Sequence, residues 1–367
     1  MDAPSERHRQ AGSSLICAQG VSPCSVSIIV PVVRAATPFA ECLDSLARLA
    51  PPCDDLVVVV DGVDELARVM AEQHGARVVC LPTRRGPAAA RNAGARIACG
   101  EVLFFVDADV TLRSDALSRV RAAFAAHAAC DAVIGSYDDA PAAQNFISQY
   151  KNLAHHFVHQ TSRGDAFTFW GACGAVRRTS FWRVGGFDER YTRSSVEDIE
   201  LGSRLVASGG RIWLEKALQV THLKRWDALG LLESEVRDRA VPWTRLILRN
   251  GRMPDDLNLR WSCRIAVVAS CLLPPAIVIT ARHADGWPLV ALPVLILLGV
   301  DLPFLKFLVR RRGWLFSARA FGWQWMHYLC SALGFAAGSL LHLFDGLRGR
   351  LPARSVGAPN PDDGEHA

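Results

Sequence analysis

Val102-Leu103-Phe104-Phe105-Val106-Asp107-Ala108-Asp109 is the stretch on which the reading of this chain turns. Its first five residues are aliphatic or aromatic, with nothing polar until the run ends, which is the pattern of a fully buried strand. Two carboxylates follow, one residue apart, where the chain must leave the sheet. In open α/β sheets ligands bind beyond the carboxyl ends of the strands. Oxygen ligands in that place suit a hard divalent cation, Mg²⁺ or Mn²⁺, shared with a diphosphate. Asp is also a common turn residue, so the pair alone reads equally as an acidic turn after a strand.

The flanking sequence alternates regularly. Residues 26–30 form a β-branched run ending at Pro31, and 38–49 follow with helical spacing at Phe39, Leu43, Leu46 and Leu49. A second strand at 56–60 ends in Asp61-Gly62, and a second helix covers 65–74. A short strand is expected at 77–81 and an Ala-rich helix at 86–99, before the strand at 101–106. Strands alternating with helices of this length indicate βαβ units and a parallel sheet. The span 25–228 therefore reads as a doubly wound α/β domain with Asp61 and Asp107/Asp109 at one rim.

After a further strand at 131–135 the pattern changes. Phe146, Tyr150, Leu153 and Phe157 repeat at helical spacing, and His155, His156 and His159 ride on that helix. His155 and His159 have metal-ligand spacing, but no Glu completes a zinc pattern, and a surface or core-edge pair is the simpler reading. Residues 167–178 mix aromatics and small residues, as a strand crossing a cleft would. Gly185-Gly186-Phe187-Asp188-Glu189 is a turn. Val196-Glu197-Asp198-Ile199-Glu200 opens a helix with an acidic first turn, which continues to a C-cap at Gly209-Gly210.

Composition points to a membrane. Of 367 residues, 50% are hydrophobic and the mean hydropathy is +0.15, high for a soluble protein. Residues 265–281 and 288–309 are long apolar stretches separated by a short polar turn, long enough to span a bilayer as a hairpin. Arg260 and Arg264 precede them and Arg310, Arg311 and Arg312 follow, which predicts both ends, and the preceding domain, on the cytoplasmic side of an inner membrane. Asp301 and Lys306 sit inside the second stretch and need pairing or snorkelling. A third stretch, 326–344, contains Gly334, Ala336, Ala337 and Gly338 and is followed by more arginines, so it either spans, re-enters or lies in the interface. Two to three membrane helices are thus expected within 263–345. Residues 229–262, with Arg237, Arg239, Trp243 and Arg245 among leucines, read as an interfacial helical segment. Residues 1–24 lack a secretory signal and, with 346–367, read as disordered tails. The eleven cysteines are scattered with no Cys-x-x-Cys pair, which predicts reduced thiols. A net charge of +5 without a basic tract excludes nucleic acid as the expected partner.

Asp61, the Arg91-Asn92-Ala93-Gly94 helix, Asp107/Asp109, the Gly-Gly-Phe-Asp-Glu turn and Glu197-Asp198 occur in a fixed order. That ordered set, over about residues 26–226, resembles the family 2 glycosyltransferases, which use the nucleotide-sugar-binding GT-A fold. The resemblance implies that backbone around Val30 and Pro31 faces the nucleobase and that Asp61 hydrogen-bonds it. Many members carry Asp-Asp-Gly-Ser where this chain has Val60-Asp61-Gly62-Val63. It further implies that Arg91 reaches the nucleotide, that Asp109 binds the metal, and that Asp107 holds the ribose or the metal's water shell. Asp198 is implied as the general base, with Glu197 its acidic partner. His222-Leu223-Lys224-Arg225-Trp226 stands where processive synthases carry Gln-x-x-Arg-Trp. His222 is then a metal or diphosphate ligand or a structural strand-end histidine, and Arg225 a diphosphate contact.

The expected function is that of an inverting, metal-dependent glycosyltransferase of the cell envelope. It would take a nucleoside diphosphate sugar, a UDP-sugar foremost, and a lipid-linked or glycan acceptor at the membrane. The alternatives are a processive polysaccharide synthase, against which His222 and the few apolar segments speak, and an inactive membrane scaffold of the same fold.

Overall fold

A computed structural model describes residues 24–251, 253 and 259–348. The chain runs β1 (Val26–Val32), α1 (Thr37–Ala47), β2 (Asp55–Asp61), α2 (Glu65–Gln73), β3 (Arg77–Leu81), α3 (Pro87–Ile97) and β4 (Val102–Val106). It continues β5 (Val110–Leu112), α4 (Ala116–Ala126), β6 (Ala132–Tyr137), α5 (Phe146–Thr161), β7 (Asp165–Ala166), β8 (Cys173–Arg177), α6 (Arg178–Arg183), α7 (Glu197–Ala207) and β9 (Ile212–His222). Local chemistry sets the helix starts: Asp64 caps α2 by accepting from Ala67 N at 2.8 Å, and Pro38 occupies the first turn of α1.

One sheet holds the strands in the order β3-β2-β1-β4-β8-β6-β9-β5, with β7 pairing to β9. The alternation of side chains along β1 divides the core. Val26, Ile28 and Val30 face Phe39 and Leu43 of α1 and Leu117 of α4, while Ile29 faces Ala88 and Ala95 of α3. The expected parallel pairing holds over β3-β2-β1-β4 and again between β6 and β9. β8 lies antiparallel between β4 and β6, and β5 is antiparallel to β9, so the sheet is mixed. A buried run such as 173–177 is apolar on both faces in either direction, and its pattern carries no sign of its polarity. β9 escaped the sequence reading because Glu215 and Lys216 interrupt it, beside the register shift between Ile134 and Ser136.

The C-terminal part comprises α8 (Ala228–Glu233), a π-helix (Ser234–Ala240), α9 (Val241–Asn250), α10 (Trp261–Thr280), α11 (Trp287–Arg312) and α12 (Trp314–Leu347). The last three are long and apolar enough to cross a membrane, and less than a third of each apolar window is buried within the protein. Val268, Leu272, Leu292, Leu295, Leu333 and Leu340 point outward, a surface that water does not tolerate at this extent. Asp301 is buried among these helices and accepts a 2.7 Å hydrogen bond from Tyr328, whereas Lys306 is exposed. Arg260 donates to Ser162 Oγ (2.7 Å) and Arg312 to Gln149 Oε1 (2.9 Å), so the start of α10 and the end of α11 both touch α5 or its end.

The third apolar stretch is longer than expected and runs beside the 228–250 helices. His327 meets Glu235, Gly334 meets Ala240, Gly338 meets Thr244, and Asp345 pairs with Arg245. A Cβ on Gly334 would lie 2.2 Å from that of Ala240, and one on Gly338 2.8 Å from that of Thr244, so two glycines four residues apart permit this close packing. Residues 1–23 and 349–367, which include nearly all of both expected tails, lie outside the described residues; 346 and 347 close α12. Nine described cysteines are free thiols.

Candidate active site

β4 delivers Asp107 and Asp109 to the rim, as its apolar run requires. β5 then folds back on the end of β9, pairing Val110 with His222, and Leu223 N donates to Asp109 O at 2.8 Å. This brings His222 Nε2 to 3.6 Å from Asp109 Oδ2, and the Tyr137 ring stacks on the imidazole with centroids 4.5 Å apart. A carboxylate and an imidazole converging on one point fit a divalent cation. No described group of three or more His, Cys, Asp or Glu residues is placed to hold a metal, so substrate oxygens and water would complete the shell. Burial works against ionisation at both aspartates, but they are pushed in opposite directions. Asp107 is raised by burial despite Arg91, while at Asp109 the histidine and Lys224 prevail and hold the carboxyl below its usual value.

Arg91 is almost fully buried and bridges two carboxylates, Asp107 Oδ1 at 2.7 Å and Glu197 Oε1 at 2.9 Å. Glu197 uses its other oxygen to accept from Ser195 N at 2.8 Å. Arg91 is thus a buried strut that also lines the crevice, and both oxygens of Glu197 are engaged. Its neighbour Asp198 lines the same inner cavity. Gly171 N donates to Asp198 Oδ2 (3.0 Å) and Ile199 N to Oδ1 (2.8 Å). Burial first, and then Glu197, push the Asp198 carboxyl up to about 6 against these two donors.

Asp61 is buried and accepts from Arg85 N (2.6 Å) and Gly86 N (2.9 Å), thereby shaping the loop ahead of α3. Gly86 has φ +95°, and a Cβ there would lie 2.4 Å from Thr192 O. Asn92 spans the same region: its amide donates to Phe187 O (2.8 Å), and Phe187 N donates to its oxygen (2.9 Å). The helix motif and the Gly-Gly-Phe-Asp-Glu turn are therefore one hydrogen-bonded unit. His156 and His159 tie α5 to β6 through Tyr137 O (2.8 Å) and Gly135 O (3.0 Å), in keeping with a core-edge role.

Two connected cavities form the crevice. An outer one of about 1000 Å³ is lined by Pro31, Asp61, Arg34, Arg84, Arg193 and Arg237. An inner one of about 240 Å³ is lined by Asp198, His222, Trp170, Trp226 and Arg239 among others. Arg91, Asp107, Asp109, Ser194 and Asp238 border both, so Asp61, Asp109 and Asp198 open on one space. Arg225 is exposed, and its neighbours Lys224 and Trp226 line the inner cavity in its stead. Arg34, Arg84, Arg193, Glu235 and Asp238 were not singled out from the sequence, since loop and interfacial residues carry no pattern that fixes where they point.

The chain matches glycosyl transferase family 2 over residues 27–185. It is 30% identical over 227 residues to validoxylamine A glucosyltransferase of Streptomyces hygroscopicus subsp. jinggangensis, covering 50% of this chain and 52% of the relative. It is 38% identical over 117 residues to a PGL/p-HBAD biosynthesis glycosyltransferase of Mycobacterium bovis BCG, covering 30% of this chain and 45% of the relative. The chain thus spans about half the length of the curated relatives it matches. A mannosyltransferase from Pyrobaculum calidifontis, solved with GDP-Man and Mn²⁺, shares the fold at a TM-score of 0.55 and 18% identity, covering 89% of this chain and 90% of the other.

Proposed function

We propose that the protein is a membrane-bound inverting glycosyltransferase that moves a sugar from a nucleoside diphosphate sugar to an acceptor hydroxyl presented at the cytoplasmic membrane face. The observation that carries this reading is the placement of Asp109 with His222, and of Asp198, around one crevice. The arginines of the outer cavity suit a diphosphate, for which planar, multi-donor guanidinium groups are well matched. Asp109 and His222 would hold Mg²⁺ or Mn²⁺, which as a Lewis acid supplies neutralisation of the leaving diphosphate. Asp198 accepts the acceptor's proton as its oxygen bonds to the anomeric carbon and the bond to the donor phosphate breaks. With Asp198 as base and the acceptor oxygen as nucleophile, the displacement is single and inverts the anomeric centre. α10 and α11 form the membrane hairpin, while α12 lies against the interfacial helices.

A donor screen tests the proposal. Full-length protein in detergent is heated with UDP-, GDP- and dTDP-sugars and Mn²⁺, and a bound donor raises Tm by mass action. A donor that stabilises the wild type and fails to stabilise Asp109→Ala supports the reading. Indifference of the wild type to every nucleotide sugar favours the scaffold instead.

A further inference from the structure

The inner cavity does not end at Asp198. It continues into a smaller space of about 60 Å³, and the two share Lys151, His155, Val158, Glu235 and Arg239 on their walls. The smaller space is lined further on by Tyr150, Leu231, Leu232 and Trp323, so it lies between α5, the α8–π-helix junction and α12. The π-helix forms this wall. π-segments inside α-helices are uncommon and concentrate at functional sites; here Glu235, Asp238 and Arg239 of the segment face the inner cavity, and Ser195 Oγ donates to Asp238 O at 2.8 Å.

The cations of this passage gather on one carboxylate. Lys151 donates to Glu235, His327 Nδ1 lies 2.7 Å from the other Glu235 oxygen, and Arg239 stands 3.9 Å from Glu235. Lys224 rests over the Trp226 ring at 3.8 Å, and Arg91 is held by Asp107 and Glu197. Across the whole inner cavity, four Lys and Arg side chains face six carboxylates. The outer cavity is different, because Arg34, Arg84 and Arg193 line it without an ion-pair partner among the described residues.

We infer that the acceptor is an electrically neutral membrane lipid whose free hydroxyl reaches Asp198 through the passage between α5, the π-helix and α12. This inference rests on the proposed donor reading and specifies its second substrate. A hydroxyl must lose its proton to attack, and Asp198 is the group placed to take it. A lipid phosphate is already an oxyanion at neutral pH, needs no base, and at Asp198 would meet six carboxylates against four Lys and Arg side chains, where like charges repel. The tryptophans Trp170 and Trp226 offer apolar faces to an uncharged head, and Leu231, Leu232 and Trp323 continue that surface toward the membrane helices. In the transfer, the hydroxyl oxygen bonds to the anomeric carbon and its proton passes to Asp198. The electron pair of the broken carbon–oxygen bond leaves with the nucleoside diphosphate.

The test uses full-length protein in phosphatidylcholine vesicles with a radiolabelled donor chosen by the thermal screen. The vesicles carry diacylglycerol, ceramide or undecaprenyl phosphate at equal mole fraction. Label is expected in a neutral lipid at a rate at least about tenfold above undecaprenyl phosphate, and Asp198→Asn is expected to lower that transfer by about 100-fold or more. Leu232→Trp, which narrows the passage away from the reacting atoms, should raise the apparent KM for the lipid with the donor's thermal shift intact. Faster labelling of undecaprenyl phosphate, or label passing only to water-soluble sugars, overturns the inference. So does a donor that binds and hydrolyses while no neutral lipid is labelled. Absence of any donor-induced shift instead removes the donor reading beneath it.

Discussion

The two walls of the crevice are built in contrasting ways. The donor wall is assembled from strand ends and tight loops of β1, β2 and β4, and its carboxylates are fixed by backbone: Asp61 holds two consecutive N–H groups and Asp109 is set by the β5–β9 pairing. The acceptor wall is assembled from α5, the start of α7, the π-helix and α12, elements up to 174 residues apart in the Tyr150–Gln324 hydrogen bond. The first wall carries spare arginines; in the second, carboxylates outnumber Lys and Arg side chains. The lesson is that one wall is positioned by backbone pairing at strand ends and the other by side-chain packing between helices distant in sequence.

This contrast can be broken in several ways, taken from the largest effect to the smallest. Asp109→Ala should abolish measurable transfer and the Mn²⁺-dependent component of donor binding, read together by turnover and by calorimetry with and without metal. Asp198→Asn should lower kcat by about 100- to 10,000-fold while donor affinity stays near wild type. A parallel loss of donor affinity would show that the walls are not separable. The pH profile sharpens the same point. Because the Asp198 carboxyl is raised to about 6, it is protonated and inactive as a base below that pH, and kcat/KM should fall about tenfold per pH unit on the acid side and level off above. The acid limb should vanish in Asp198→Asn. Gly334→Leu, which drives a side chain into Ala240, should displace the π-helix and raise the acceptor KM with donor binding kept, measured by steady-state kinetics with both substrates varied. Smallest is Asn92→Ala, which leaves the buried Phe187 N–H and C=O unpaired and should cost about 1–3 kcal/mol of stability, seen as a lower Tm.

Much of the donor wall was legible in the sequence. The strand–helix alternation from Val26 to Val106 and the positions of Asp61, Asp107 and Asp109 follow from apolar runs that end in carboxylates, Asp198 from an acidic helix start together with the family resemblance, and the structure brings these residues to one crevice. Three things were not legible. The reversed direction of β8 leaves no trace in a run buried on both faces. The engagement of Glu197 by Arg91 depends on a salt bridge across 106 residues. The π-helix, finally, arises where Ser234–Ala240 must meet both α12 and the catalytic domain, and no local pattern in Ser-Glu-Val-Arg-Asp-Arg-Ala announces it. The same holds for Arg225 and Lys224, adjacent cations whose roles are decided by which way a single residue turns at the end of β9.

Gly334 and Gly338 carry a further consequence. By letting α12 pack directly against Ala240 and Thr244, they fix the distance between the last apolar helix and one wall of the inner cavity, because Glu235, Asp238 and Arg239 sit on the same π-helix as Ala240.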